Sequence, residues 1–139
     1  MRFTKENIID LKESEVFVFG ANEKGIHGAG AARLALQWGA VYGEGYGMKG
    51  MTFAIPTKDK NIQTLPLPDI KIYIDAFILF AATRPEYTFL VTKIGTGLAG
   101  LFIKDIAPLF KDATLYNNII LPEEFWDILS EQMETTDET

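Results

Sequence analysis

Cysteine is absent from the 139 residues, which excludes disulfides, thiolate metal sites and a cysteine nucleophile. Histidine occurs once, as His27, and one imidazole among scattered carboxylates gives no metal-ligand spacing, so no metal is expected. No apolar run approaches the roughly 18 residues a membrane span needs, and the opening MRFTKENIIDLKESE carries no apolar signal core. A cytoplasmic chain with no membrane partner is the expectation. Positive charge is scarce, with 13 Lys and Arg against 19 Asp and Glu and a net charge of −6. That balance opposes a nucleic-acid duplex as partner, because such binding depends on cations neutralising many phosphates. A single small phosphorylated ligand stays compatible, since backbone N–H groups bind phosphate without net positive charge.

What the chain does have is apolar residue, 47% of the total, enough at this length for one core of ordinary size. A single domain over residues 1–133 is expected, followed by an acidic disordered tail at 134–139, where EQMETTDET ends without periodicity. EVFVFG reads as a buried strand of β-branched and aromatic residues closed by Gly20. AGAARLALQWGA predicts a helix from about Ala29 to Trp38, stopped by Gly39. YGEGYGMKG, with too little side chain for a core element, reads as a loop. MTFAIP reads as a second strand ended by Pro56, and TKDKNIQTLPLP as a polar, proline-punctuated connection. From Asp69, a residue suited to N-capping, DIKIYIDAFILFAATR places Ile70, Tyr73, Ile74, Phe77, Ile78 and Ala81 at helical spacing. YTFLVTKIG and NNIIL read as strands, FIKDIAPLF as a short helix, and PEEFWDILSEQM as a last helix with Pro122 at its start. Strand and helix alternate, which predicts an α/β fold with a mixed, centrally parallel sheet covered by helices on both faces.

All twelve glycines fall between Gly20 and Gly100, and eleven of them cluster at 20–30, 43–50 and 95–100, the first and last clusters each leading from a predicted strand toward a helix. Loops after strand ends form the ligand crevice of an open α/β sheet, and glycine lets backbone amides come close to a pyrophosphate. The plain alternative is that these glycines only turn the chain. A dinucleotide fingerprint is a poor match, because GAGAAR at 28–33 puts Arg33 in the third glycine slot and eight residues separate Phe19 from Gly28. GIHGAG is followed by alanines rather than Lys and Ser or Thr, so a P-loop has no support.

VFVFGAN followed by HGAGAARLAL, and FAIPTK followed later by LVTKIGTGLAG, resemble the signature of macro domains, closest to those that remove ADP-ribose from carboxylate side chains. The resemblance covers roughly residues 7–121. It implies a three-layer α/β/α domain that binds ADP-ribose or a related small nucleotide in a crevice above the sheet, with no cofactor. By position it implies that Asn22 contacts the distal ribose. Gly28, Ala29 and Gly30 would wrap the diphosphate and distal ribose, and Gly95, Thr96, Gly97, Leu98 and Ala99 would hold the phosphates. Phe102 would stand beside the adenine or proximal ribose, and Asp10, or Asn7 with better spacing but no charge, would read the adenine amino group.

The chain departs from the family where catalysis is concerned. Lys58 in IPTK aligns with the lysine that attacks the anomeric carbon in the ester-cleaving members, a role that needs an amine freed of its proton. The partner aspartate of those members is replaced by Ala99, and the aspartate of the other hydrolytic branch by alanines around Ala31 and Ala32. Asp59 and Asp105 are nearby in sequence. His27, the only histidine, could serve as a general acid or base or bond a terminal phosphate. Three readings follow. The first is a binder of ADP-ribose or a derived nucleotide, acting as a reader or sequestering protein. The second is a hydrolase of ADP-ribosyl adducts, or an ADP-ribose-1″-phosphate phosphatase, using Lys58 or His27. The third is a non-catalytic α/β interaction domain with no nucleotide ligand.

Overall fold

A computed structural model describes residues 2–137, with side chains described through Met133. In chain order its elements are β1 (Glu15–Asn22), α1 (Gly30–Ala35), β2 (Gly47–Lys49), β3 (Thr52–Lys58), α2 (Leu67–Ala82), β4 (Thr88–Val91), α3 (Ile103–Ile106), β5 (Ile119–Ile120) and α4 (Glu123–Asp137). Short 3-10 segments, Leu36–Trp38 and Ala107–Leu115, continue α1 and α3. The apolar run of β1 explains the architecture. Successive side chains of a strand point to opposite faces, and here Val16 and Val18 enter one core while Phe17, Phe19 and Ala21 enter another. A strand apolar on both faces belongs at the centre of a sheet. It pairs in parallel with both β3 and β4.

The sheet runs β2-β3-β1-β4-β5, with β5 parallel to β4 and β2 antiparallel on the outer side of β3. The larger core packs α2, α3 with its 3-10 extension, and α4 against one face. It centres on Phe77, whose ring lies 5.0 Å from Phe53 and 5.7 Å from Phe89. The smaller core packs Ala32 and Ala35 of α1, with Ile8 of the N-terminal segment, against the other face. Helices thus cover both faces, giving the three-layer α/β/α arrangement that the alternating pattern predicts.

Local departures from the sequence reading have physical causes. The loop expected at 42–50 contains β2, a three-residue edge strand, because Met48 and Lys49 can pair with Phe53 and Thr52 once Gly50 turns the chain back. Pro56 does not end its strand. β3 runs on to Lys58, and the register shift in its pairing with β1 lies between Ala21, opposite Pro56, and Asn22, opposite Lys58. A residue without an N–H is tolerated at such an irregularity. Asp69 is not the cap of α2 but lies in its first turn, since Pro66 occupies the cap and Pro68 pre-sets the helical φ. The acidic segment 134–139 lies partly outside the described residues, and its backbone is helical as far as Asp137.

Two side chains close the fold at its ends. Asn118 donates from Nδ2 toward the carbonyls of Ala81, Arg84 and Tyr87 at 2.9, 3.2 and 3.3 Å, tying the end of α2 to the start of β4. Thr4 donates its N–H to Leu121 O at 3.0 Å and its hydroxyl to Ile120 O at 2.9 Å, laying the N-terminal segment along β5.

Candidate functional site

Because β1, β3 and β4 are parallel, their carboxyl ends lie at the same edge of the sheet. The chain leaves β1 for α1 on one face and leaves β3 and β4 for helices on the other. Connections that diverge to opposite faces open a crevice at the strand ends. A cavity of about 600 Å³ sits there. Gly20, Ala21, Thr57 and Ile94 line its base; Asn22, Ile26 and the run from Gly28 to Ala32 line one wall; and the run from Gly95 to Ala99 lines the other. Lys58, Ile62, Thr92 and Lys93 complete the lining. The base is tight, since a Cβ added to Gly20 would lie 3.4 Å from Ile94 Cγ2.

The two walls offer donors. Among the described residues, the N–H groups of Gly28 and Ala29 on one side and of Gly97, Leu98 and Ala99 on the other donate to no protein acceptor. The threonine hydroxyls do not add to them: those of Thr57, Thr92 and Thr96 donate to the carbonyls of Ala21, Val18 and Lys93. Neither Gly28 nor Gly97 has a positive φ, and a Cβ added at either would touch at most Ile26 Cγ2, 3.9 Å from Gly28. The fold itself does not demand glycine at these two wall positions.

The charge balance of the lining is opposite to that of the chain. Lys58 and Lys93 line the cavity and, among the described residues, no Asp or Glu does. Lys93 is committed elsewhere: its ammonium is bonded to Glu124 and lies 2.9 Å from Glu6. The bond to Glu124, and next the one to Glu6, raises the Lys93 ammonium above the usual lysine range, and the first also lowers the Glu124 carboxyl. Lys58 makes no ion pair among the described residues.

The structure gathers Asn22, Gly28, Ala29, Gly30, Lys58, Gly95, Thr96, Gly97, Leu98 and Ala99 around one crevice. Asn22 spends much of its amide on the chain itself, donating to Ile26 O at 2.9 Å and accepting from Ile26 N at 3.0 Å. It clamps the start of the first glycine loop and keeps one N–H and one lone pair to offer. His27 does not reach the crevice. It is 1% exposed, edge-on to Phe19 and Tyr42, and its Nε2 lies 3.1 Å from Val41 O and 3.2 Å from Glu44 O. Two acceptors around Nε2 assign the proton to it. His27 therefore pins the 41–44 segment beneath the first loop.

Other candidates also fall outside. Phe102 is the exposed cap of α3, with Lys104 5.7 Å from its ring centre, and does not line the cavity. Asp59 is held by its own turn, its Oδ1 accepting from Asn61 N at 2.8 Å and Gln63 N at 3.0 Å. Asp105 sits in the first turn of α3, away from the lining. Asn7 and Asp10 line a separate cavity of about 110 Å³ beside Glu15 and Leu90. Among the lining residues that the sequence reading did not name as site residues are Thr57, Ile62, Thr92 and Lys93. Thr57, Thr92 and Lys93 lie inside the quoted motifs FAIPTK and LVTKIGTGLAG, whereas Ile62 gave no signal inside a polar connection.

The first loop is braced from behind the crevice. Glu23 donates its N–H to Lys58 O at 2.9 Å, and its carboxylate accepts from the Tyr73 hydroxyl at 2.5 Å. That hydrogen bond, with burial adding to it, pushes the Tyr73 phenol up to about 12 from its ordinary 10.0. A folded-state value above the unfolded one means that the stabilisation is fully present below pH 10.0 and is lost as pH rises toward about 12. Melting temperature is expected to fall more steeply with pH across that window in the wild type than in Tyr73→Phe. Parallel curves would show that the bond does not hold in solution.

Set against protein-family profiles, curated proteins and solved structures, the chain matches none of them. The described residues contain no cluster of His, Cys, Asp or Glu able to hold a metal ion, and no helix long and apolar enough to cross a membrane.

Proposed function

We infer that this chain is a macro-domain-like protein that binds ADP-ribose or a nucleotide derived from it, as a reader or sequestering protein. One observation carries the reading: a crevice of about 600 Å³ with unpaired backbone N–H groups on two walls and no carboxylate in its lining. The volume suits a small organic ligand. Amides on opposite walls suit a diphosphate, whose charge would repel carboxylates but is matched by N–H dipoles. Lys58, which makes no ion pair among the described residues, supplies the cation for a phosphate or a ribose hydroxyl. An acidic chain can then hold an anion because the local field, not the net charge, meets it.

Hydrolysis through Lys58 or His27 draws no support from this arrangement. A nucleophilic amine needs a base or a neighbouring cation to shed its proton; among the described residues no acid lines the crevice, the second lysine there, Lys93, is neutralised by Glu124 and Glu6, and His27 is buried under the loop. Calorimetric titration with ADP-ribose, ADP, AMP and cyclic ADP-ribose isomers tests the reading. Heat with ADP-ribose is expected, and Lys58→Ala should weaken it by about tenfold to a hundredfold, the worth of one hydrogen bond to a charged group. Silence with all four ligands would leave only the interaction-domain alternative. Release of ADP-ribose from a modified protein, lost in Lys58→Ala, would replace binding by catalysis.

A further inference from the structure

Ile62 lies in the left-handed backbone region at φ +63°, which a β-branched side chain enters only under strain. The turn imposes it. Asp59 N donates to Gln63 O at 2.8 Å, Ile62 N donates to Asp59 O at 3.1 Å, and the Asp59 carboxylate holds Asn61 and Gln63. Glycine or asparagine would satisfy this backbone at little cost. The chain instead carries an isoleucine there that is 42% exposed and lines the crevice. Ile62 belongs to neither hydrophobic core, so its strain is not repaid by core packing. Backbone strain kept at a cavity lining is where function is to be sought.

A second residue has the same character. Leu98, on the other glycine loop, is 75% exposed and also lines the crevice. The two segments are joined: Thr64 Oγ1 donates to Ala99 O at 2.8 Å. Two exposed aliphatic side chains on tethered segments therefore flank a cavity whose two glycine-loop walls are otherwise mostly small residues and free amides.

The geometry points to Ile62 as a ligand-contacting residue that, together with Leu98, grips the nucleoside part of a nucleotide while the amides take its phosphates. This rests on the nucleotide reading above. Branched aliphatic groups meet the flat face of a base or the carbon face of a ribose, and their removal from water on binding adds affinity that a phosphate contact does not supply.

Two substitutions separate the side chain from the turn. Ile62→Asn relaxes the backbone and removes the apolar group, whereas Ile62→Val keeps both the strain and most of the group. With ADP-ribose as titrant, Ile62→Asn is expected to bind about tenfold more weakly than wild type, from partial loss of one aliphatic contact. Its melting temperature should match or exceed the wild type, and Ile62→Val should stay within about threefold in affinity. Leu98→Ala, at an exposed site, should weaken ADP-ribose without moving the melting temperature. Wild-type-like binding by Ile62→Asn overturns the proposal and leaves the nucleotide reading intact. Weaker binding that comes with a lowered melting temperature also overturns it, by making Ile62 a residue of the turn alone. A wild-type chain that gives no heat with ADP-ribose overturns both.

Discussion

Gly97→Glu is expected to reduce ADP-ribose affinity by more than about a hundredfold, the combined effect of a filled wall and a repelled phosphate, while leaving the melting temperature nearly unchanged. Gly97 has no positive φ and no heavy atom within 4 Å of an added Cβ, so the folded chain has room for the new side chain. The room it takes is crevice. A carboxylate there would accept the loop's free N–H groups and present negative charge where a phosphate is proposed to lie. Gly28→Glu should act in the same way from the other wall, its nearest neighbour being Ile26 Cγ2 at 3.9 Å. Calorimetry with thermal melts on the same samples checks both. Undiminished affinity in the two folded variants would remove the ligand from this crevice.

Gly45→Ala is expected to do the reverse and injure the fold first. Its added Cβ would lie 2.2 Å from Asn22 O and 2.8 Å from both the carbonyl carbon and oxygen of Glu23. These are backbone atoms held in place, since the Asn22 amide is bonded to Ile26 and Glu23 is bonded to Lys58 and Tyr73. Relief requires the 43–45 segment to lift away, which would also draw the Val41 and Glu44 carbonyls off His27. A loss of about 3 kcal/mol or more is expected, the range of severe overpacking, or a fall in melting temperature of roughly 10 °C. Denaturant unfolding and thermal melts measure it. A melting temperature within about 2 °C of wild type would mean that the two loops are not packed together.

These two glycines show why the sequence was legible in some places and not in others. Gly45 and Gly97 sit in similar small-residue clusters, yet one is required by a backbone passing at close range and the other by nothing in the protein. That difference depends on what lies across space, which one-dimensional pattern does not contain. The order of strands and helices was legible because β1, β3 and β4 bury nearly continuous apolar runs and α2 buries one apolar face, so their periodicity is their environment. β2 was not legible: Gly47 to Lys49 becomes a strand only because β3 offers an edge. His27 illustrates the opposite error, since a lone histidine in a glycine loop suggests chemistry, whereas two carbonyls from a segment fourteen and seventeen residues away make it a bolt. Ile62 stood in a connection read as polar and proline-punctuated, and its backbone angle and its place on the cavity single it out.

The brevity of the outer strands bears on how copies of this chain would meet. β2 has three residues and β5 has two, so either margin of the sheet presents a ladder too short to recruit a neighbour's strand securely. Thr4 further occupies the Ile120 and Leu121 carbonyls at the β5 margin. The apolar, strand-forming run VFVF in β1 is walled in by two strands on either side. Crowded solutions of the folded chain are thus guarded against strand-by-strand growth into fibrils, and that guard depends on the N-terminal segment staying in place.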